Sequence, residues 1–124
     1  MRRSLVGDPA SGFAGALVAG DFERLTALLA TDVRMRALIP PGPVELSGAA
    51  DAGARFASWF GGLKNLELVR TGSDEVGDRL HIFYRLRVNR RDDPTSIVEQ
   101  HVFCALAKGR ITALDLVCSG FRPE

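Results

Sequence analysis

The order in which two hydrophobic periodicities occur along this chain constrains its fold more than any other feature. Up to about residue 61, most apolar residues recur at helical spacing, as Phe13, Ala16 and Leu17 do. From Leu66 onward, apolar and polar residues alternate with a period of two, which is typical of half-buried strands. Helices followed by a run of strands predict an α+β domain, with the helices on one face of an antiparallel sheet.

Capping signals divide the first half of the chain into three helices. Gly20 suits the residue that ends one helix, and Asp21 suits the N-cap of the next. They separate predicted helices over 11–19 and 22–30, and a third helix is predicted over 49–61. The remaining elements are strands over 33–39, 44–46, 66–71, 79–88, 97–107 and 110–121, with a turn over 72–78.

Length and charge exclude several classes of function. The 124 residues suit one domain, which we place at 11–124 after a flexible N-terminal lead-in over 1–10. A net charge of +1 gives no basic stripe for nucleic acid. No stretch approaches the roughly 20 apolar residues of a membrane span, and no secretion signal is recognisable, so a cytoplasmic location with no membrane partner is expected. The two cysteines are expected to be free thiols.

Strand register determines which side chains face the helices, because alternate residues of a strand point to opposite faces. A two-residue hairpin loop at Lys108-Gly109 predicts a register in which Val102 lies opposite Asp115. The face turned toward the helices then carries four polar side chains among apolar ones, namely Tyr84, Gln100, Asp115 and Ser119. Uncompensated polar groups are unfavourable in a dry core, so this set predicts an interior pocket.

The opposite face of the sheet is too apolar to be fully exposed to water. It is expected to carry aromatic and aliphatic side chains together with two imidazoles: Phe83, Phe103, Leu114, Leu116, His81 and His101. Arg85 and Glu99 are predicted to pair across neighbouring strands of this face. Such a mixture predicts a homodimer formed through the outer face of the sheet.

Several short passages, taken in order, resemble nuclear transport factor 2-like proteins, and most closely their SnoaL-like and ketosteroid-isomerase-like members. They are Gly20-Asp21 between two helices, Leu28 to Val33 leading into a strand, Gly48 before a helix ending in Trp59-Phe60, Gly77-Asp78-Arg79, and Lys108 to Ile111. The resemblance spans about 11–121. It implies a cone-shaped, cystatin-like fold, with three N-terminal helices packed on a highly curved, mixed but mostly antiparallel sheet, a usual dimer, and a pocket for a small apolar molecule.

The catalytic residues of ketosteroid isomerases are missing at the corresponding positions. Phe13 stands where those enzymes have a tyrosine, Ala37 stands near their aspartate base, and Val102 stands near their second acid. Without a base and an oxyanion donor, proton transfer next to a carbonyl loses its main stabilising interactions. The resemblance therefore does not extend to isomerase chemistry of that type.

The remaining catalytic hypothesis is a cofactor-free cyclase, isomerase or dehydratase that acts on an apolar carbonyl compound. Asp115 is its candidate acid/base, because burial raises the pKa of a carboxyl group. Tyr84 is the candidate hydrogen-bond donor to the carbonyl. The residues expected to line the ligand are Phe13, Trp59, Tyr84, Gln100, Val102 and Ser119. The alternative is a non-catalytic ligand-binding or dimeric interaction module.

Inverting the two faces of the sheet would change the candidate site. His101 and Glu99 would then be the leading pocket residues, as an acid/base pair or a metal site. With the faces as assigned, His101 is expected to contribute hydrogen bonds on the dimer face. No metal-ligand spacing, cofactor motif or glycine-rich phosphate loop is present, so no cofactor and no metal are expected.

Overall fold

Three helices precede most of a seven-stranded sheet. The structure is a computed structural model that describes residues 9–40 and 42–124. The helices are α1 (Pro9–Ala19), α2 (Phe22–Ala27) and α3 (Ala49–Phe60). The strands are β1 (Leu29–Leu38), β2 (Val44–Ser47), β3 (Asn65–Val76), β4 (Arg79–Asn89), β5 (Ser96–Ala107), β6 (Arg110–Cys118) and β7 (Arg122–Pro123).

The first two helices meet at the capping signals that the sequence contains. Gly20 adopts a φ of 71°, and the Gly20 and Asp21 amides donate to the carbonyls of Leu17 and Ala16, which closes α1 in a Schellman motif. The Asp21 carboxylate then accepts a hydrogen bond from the Arg24 amide and caps α2. The predicted boundary between α1 and α2 is confirmed, whereas α2 ends at Ala27 because β1 already begins at Leu29.

The sheet is mixed and curls around the helices. Its order is β2-β1-β6-β5-β4-β3, and β7 adds to β5. β1 and β6 run parallel, and every other described pair is antiparallel. The interior face of the sheet and the helices bury one apolar core, in which Phe13, Phe56 and Leu86 are fully buried. The predicted α+β class and the mostly antiparallel sheet are confirmed.

A β-bulge in the last hairpin changes the predicted register. Ala107 pairs with Arg110 as expected, but the pairing shifts between Ala105 and Leu106, where Thr112 is the extra residue of β6. Phe103, and not Val102, therefore lies opposite Asp115. Because one residue of shift moves every later side chain to the other face, the predicted faces of β6 are wrong beyond the bulge.

Two other boundaries differ from the predictions. β3 continues through the segment predicted as a turn over 72–78 and ends at Val76, so that only Gly77-Asp78 turns the chain. Of the predicted lead-in over 1–10, Pro9 and Ala10 belong to α1, and residues 1–8 lie outside the described part. Among the described helices, none is long and apolar enough to cross a membrane.

Candidate functional site

A chain of hydrogen bonds crosses the interior face of the sheet. The Tyr84 hydroxyl donates to Oε1 of Gln100 over 2.6 Å, and both side chains are only 1% exposed. Nε2 of Gln100 donates to Sγ of Cys118 over 3.3 Å, and the same sulfur accepts from the Gly120 amide over 3.3 Å. The predicted inward orientation of Tyr84 and Gln100 is confirmed, and these two groups satisfy each other.

Aromatic rings fill the space above these polar groups. The Phe13 ring lies 6.2 Å from the Tyr84 ring, at an angle of 29°, and meets the Phe56 ring edge-on at 5.3 Å. Trp59 is half-buried and packs edge-on against Phe56 rather than on Tyr84. Val102 is fully buried on the neighbouring strand. Four of the predicted ligand-lining residues, Phe13, Tyr84, Gln100 and Val102, therefore belong to a closed core.

The ionisable groups of this core are held in their neutral forms. Burial raises the pKa of the Tyr84 phenol well above its ordinary value, and it raises the pKa of the Cys104 thiol to about 12. Among residues 9–40 and 42–124, no carboxylate, imidazole, lysine or arginine side chain is buried. The fully buried part of the described interior consequently offers no carboxylate or imidazole as an acid or base.

Asp115 lies on the outer face of the sheet, so its predicted place in the pocket is wrong. Its carboxylate accepts from Nε of Arg36 over 2.8 Å and from Nη1 of Arg79 over 3.3 Å. The hydrogen bond from Arg36 holds the pKa of this carboxyl below its ordinary value, and Arg79 acts in the same direction. Asp115 is thus an ionised partner of two arginines and not a desolvated acid.

The same shift of register moves Ser119 out of the interior. Its side chain is exposed, and its Oγ accepts from the Glu99 amide over 2.9 Å and donates to the Gly120 carbonyl. Leu114 and Leu116 move the other way and are buried in the core, although they were predicted for the outer face. Ser119 therefore terminates a strand and does not line the core.

The outer face carries a hydrogen-bonded row of charged and imidazole groups. Oε1 of Glu99 accepts from Nε of Arg85 over 2.7 Å, which confirms the predicted cross-strand pair. Oε2 of Glu99 lies 2.7 Å from Nε2 of His101, and Nδ1 of His101 lies 2.9 Å from Nε2 of His81. We call Glu99, His101 and His81 the outer-face relay. Sequence reasoning placed His81 near His101 and Glu99, as a neighbour in a possible acid/base pair or metal site, but assigned it no hydrogen bond.

Aromatic rings surround the relay. The Phe103 ring stacks on the His81 ring at 4.6 Å, and the Phe83 ring lies 5.4 Å from the His101 ring. The Arg70 guanidinium lies 5.2 Å from the centre of the Phe83 ring. Hydrogen bonding from His101 lowers the pKa of Glu99, and Arg85 contributes in the same direction. The predicted positions of these rings on the outer face are confirmed.

A concavity lies beside the core, between α1 and β3. This α1–β3 groove has a volume of about 480 Å³. Its lining residues are Ala14, Gly15, Val18, Ala19, Leu68, Thr71, Gly72 and Ser73. Thr71 pairs with Tyr84 in the sheet, so the groove is the part of the interior face that the helices leave open. Sequence reasoning missed it because Gly72 and Ser73, which continue its β3 wall beyond Thr71, were predicted to be in a turn.

Solved structures share this architecture at low sequence identity. A hypothetical protein with a ketosteroid isomerase-like fold from Catenulispora acidiphila, in complex with trimethylamine, matches with a TM-score of 0.72 and 16% identity over 88% of this chain and 83% of that one. A candidate polyketide cyclase from Xanthomonas campestris pv. campestris matches with a TM-score of 0.71 and 18% identity over 88% and 86%. An M. tuberculosis LEH-like epoxide hydrolase matches with a TM-score of 0.64 and 17% identity over 90% and 80%. These likenesses establish the expected cone-shaped fold.

The sequence itself carries the family signal. No curated protein matches the chain. The family model of the SnoaL-like domain matches residues 10–114, which is most of the sequence and includes all three helices and most of the sheet. The chain therefore belongs to the SnoaL-like domain family.

Proposed function

We propose that this chain is a non-catalytic SnoaL-like protein that binds a small apolar molecule in the α1–β3 groove. The observation that carries the proposal is the closed hydrogen-bond chain of the core. Tyr84 and Gln100 bond to each other under the Phe13 ring, so neither is available to a substrate. The groove opens onto the same face, and its volume of about 480 Å³ falls in the range of small-molecule sites.

The lining of the groove suits an uncharged ligand with one or two polar atoms. One wall is formed by the small apolar side chains of α1, including Ala14 and Val18. The other wall presents Leu68 and the hydroxyl groups of Thr71 and Ser73. Burying a compact apolar ligand here would contribute about 25 cal/mol per Å² of apolar area removed from water. The Thr71 hydroxyl already donates to the Phe83 carbonyl over 2.9 Å, so it can only accept from a ligand, whereas the Ser73 hydroxyl can donate to a carbonyl or hydroxyl group. Neither hydroxyl is an acid or base at neutral pH.

A cofactor-free cyclase, isomerase or dehydratase is less well supported. Such a reaction needs a positioned group with a pKa near the working pH. Asp115, the candidate for this role, lies on the other face of the sheet and is held ionised by Arg36 and Arg79. The groove residues of the described chain include no carboxylate or imidazole. Binding without catalysis is therefore the simpler account.

We also propose that two copies associate through the outer face of the sheet. Phe83 and Phe103 lie at the centre of this face, and Val117 and Leu38 continue the apolar strip at exposures of 49% and 60%. Ion pairs lie on both sides of the strip, Arg85–Glu99 on one side and Arg36–Asp115 on the other. An apolar centre with a charge-balanced rim is the anatomy of a self-complementary interface.

The ligand proposal is tested by filling the groove. Ala19→Trp places an indole in the groove from the last residue of α1, whereas Ala27→Trp places one at the last residue of α2, outside it. Both alanines are exposed, so the two variants are matched in size and position. With the uncharged apolar dye N-phenylnaphthylamine as probe, we expect Ala19→Trp to weaken binding at least about tenfold, which corresponds to about 1.4 kcal/mol, and Ala27→Trp to leave it unchanged. Equal binding by both variants would contradict the groove as the site.

A further inference from the structure

When both imidazoles are neutral, the contacts of the outer-face relay fix the positions of two protons. The ionised Glu99 carboxylate can only accept, so Nε2 of His101 must carry a proton and donate to it. Nδ1 of His101 is then bare and must accept from Nε2–H of His81. The 5.1 Å between the ring centres is close to the sum of the 2.9 Å N···N distance and the two centre-to-nitrogen distances, and the ring planes differ by 13°. The two rings therefore meet edge to edge, as an N–H···N bond requires.

We propose that the outer-face relay is a proton-binding site that makes the association of two copies weaken as the pH falls. This inference rests on the proposed dimer, because the relay lies at the centre of the face that the dimer would cover. His81 and His101 are the only histidines of the 124 residues, so every imidazole proton of this chain belongs to the relay. Imidazoles change charge between about pH 5 and pH 8, which is the range in which the site would act.

The two protons that the relay can gain have different consequences. The first can bind Nδ1 of His81 and leave both hydrogen bonds intact, at the cost of a net positive charge. The second must bind Nδ1 of His101, where it removes the acceptor of the N–H···N bond and places two cations side by side. In the separate subunit, His101 is 37% exposed and its imidazolium can be hydrated. In the dimer the imidazolium charges of one subunit would be shielded from water and would face the same charges of the second subunit.

The surrounding charges do not cancel this effect. The charged groups that face the two imidazoles come from the neighbouring strands β3 to β6 and are Arg70, Asp74, Arg79, Arg85, Glu99 and Asp115. Glu99 is already paired with Arg85, and Asp115 with Arg36 and Arg79. Asp74 lies opposite His81 in the register and is exposed on the edge strand. Because Glu99 and Asp115 are already paired with arginines and Asp74 is solvated at the sheet edge, added protons make the covered centre net positive, and the separated subunits bind them more tightly.

The test is the dimer dissociation constant by sedimentation equilibrium at about pH 8 and about pH 5. We expect at least about tenfold weaker association at the lower pH, since linkage gives up to about tenfold per pH unit for each proton released on association. His81→Phe/His101→Gln removes every imidazole of the chain and should bind equally at both values. Asp115→Asn is the control on the same face, and it should keep the wild-type pH effect.

The outcomes separate the two proposals. A wild-type chain that is monomeric at micromolar concentration near neutral pH overturns the dimer and this inference together. A dimer with one dissociation constant at both pH values, or a pH effect that persists without the imidazoles, overturns the relay and leaves the dimer. Nitrogen NMR of the wild-type rings is independent of the variants. Above neutral pH it should show both imidazoles protonated at Nε2, and a proton at Nδ1 of His101 would refute the relay.

Discussion

Replacing both members of the buried Tyr84–Gln100 pair tests whether the core is closed. Tyr84→Phe removes the hydroxyl and leaves Oε1 of Gln100 without its 2.6 Å donor at 1% exposure. Leaving a buried polar group unpaired costs about 1–3 kcal/mol. Gln100→Met leaves the Tyr84 hydroxyl unpaired and should cost a similar amount. In the double variant both polar groups are gone, so its loss should be smaller than the sum of the two by about 1–2 kcal/mol.

Urea unfolding followed by circular dichroism measures this cycle. A loss of about 1.5 kcal/mol with a slope of about 1.5 kcal/mol per molar urea lowers the midpoint by about 1 M for either single variant. The coupling between the two residues is the quantity that decides the outcome, since it isolates their mutual hydrogen bond from general packing. Additive effects, or a Tyr84→Phe variant as stable as the wild type, would mean that water replaces the lost partner, and would refute a dry core.

Two further predictions concern packing and charge. Gly53→Ala places a Cβ against the Thr26 side chain, where α2 and α3 meet, and should destabilise the fold by about 1–3 kcal/mol in a thermal melt. Gly15→Ala is the control, because its Cβ would have no neighbour closer than 4.0 Å. It should be neutral or should stabilise the fold by up to about 1 kcal/mol in the same measurement. Asp115→Asn should cost no more than about 1 kcal/mol at neutral pH, because its partner Arg36 is half-exposed. The pKa of Asp115 is lower in the folded chain than in the unfolded chain. Its contribution to stability is therefore present above the ordinary carboxyl pKa and disappears as the pH falls through the lowered value. The unfolding free energies of wild type and variant should become equal in acid, and a difference that persists there would contradict the ion pairs.

The architecture was predictable because its signals are local. The period of two in β4 and β5 assigned Tyr84 and Gln100 to the interior, and Phe83 and His101 to the outer face. The glycine and aspartate between α1 and α2 have the left-handed conformation and the N-cap role that their chemistry favours. Such features depend on a few neighbouring residues, so they can be predicted without knowledge of the rest of the fold.

The predicted site was wrong because of one inserted residue in β6. Thr112 is inserted as a bulge between the inward side chains of Ile111 and Leu114, and from there Asp115 turns outward. The spacing of three between these two apolar residues is a weak sign of the bulge, because it interrupts the alternation. A strict period of two carried the error through the strand and placed Asp115 and Ser119 in a pocket that the structure fills with Leu114 and Leu116.

The groove was missed for a related reason. A cluster of small and polar residues around Gly72 is typical of a turn, but in the sheet Gly72 makes room for the Phe83 ring, whose nearest atom would lie 2.7 Å from an added Cβ. The glycine therefore serves cross-strand packing in a continuous β3. Only the pairing with β4 shows this, because the ring that occupies the space is eleven residues away in the chain.

Binding beside a closed core can be tested by mapping amide chemical shifts during titration with the uncharged dye N-phenylnaphthylamine. We expect the largest changes along the groove, at Ala14, Val18 and Ser73, whereas the signals of Tyr84 and Gln100 should keep their positions. Changes concentrated at Tyr84, Gln100 and Phe13, with none along α1 and β3, would show that the core opens to admit ligands. That result would contradict a closed core with binding beside it.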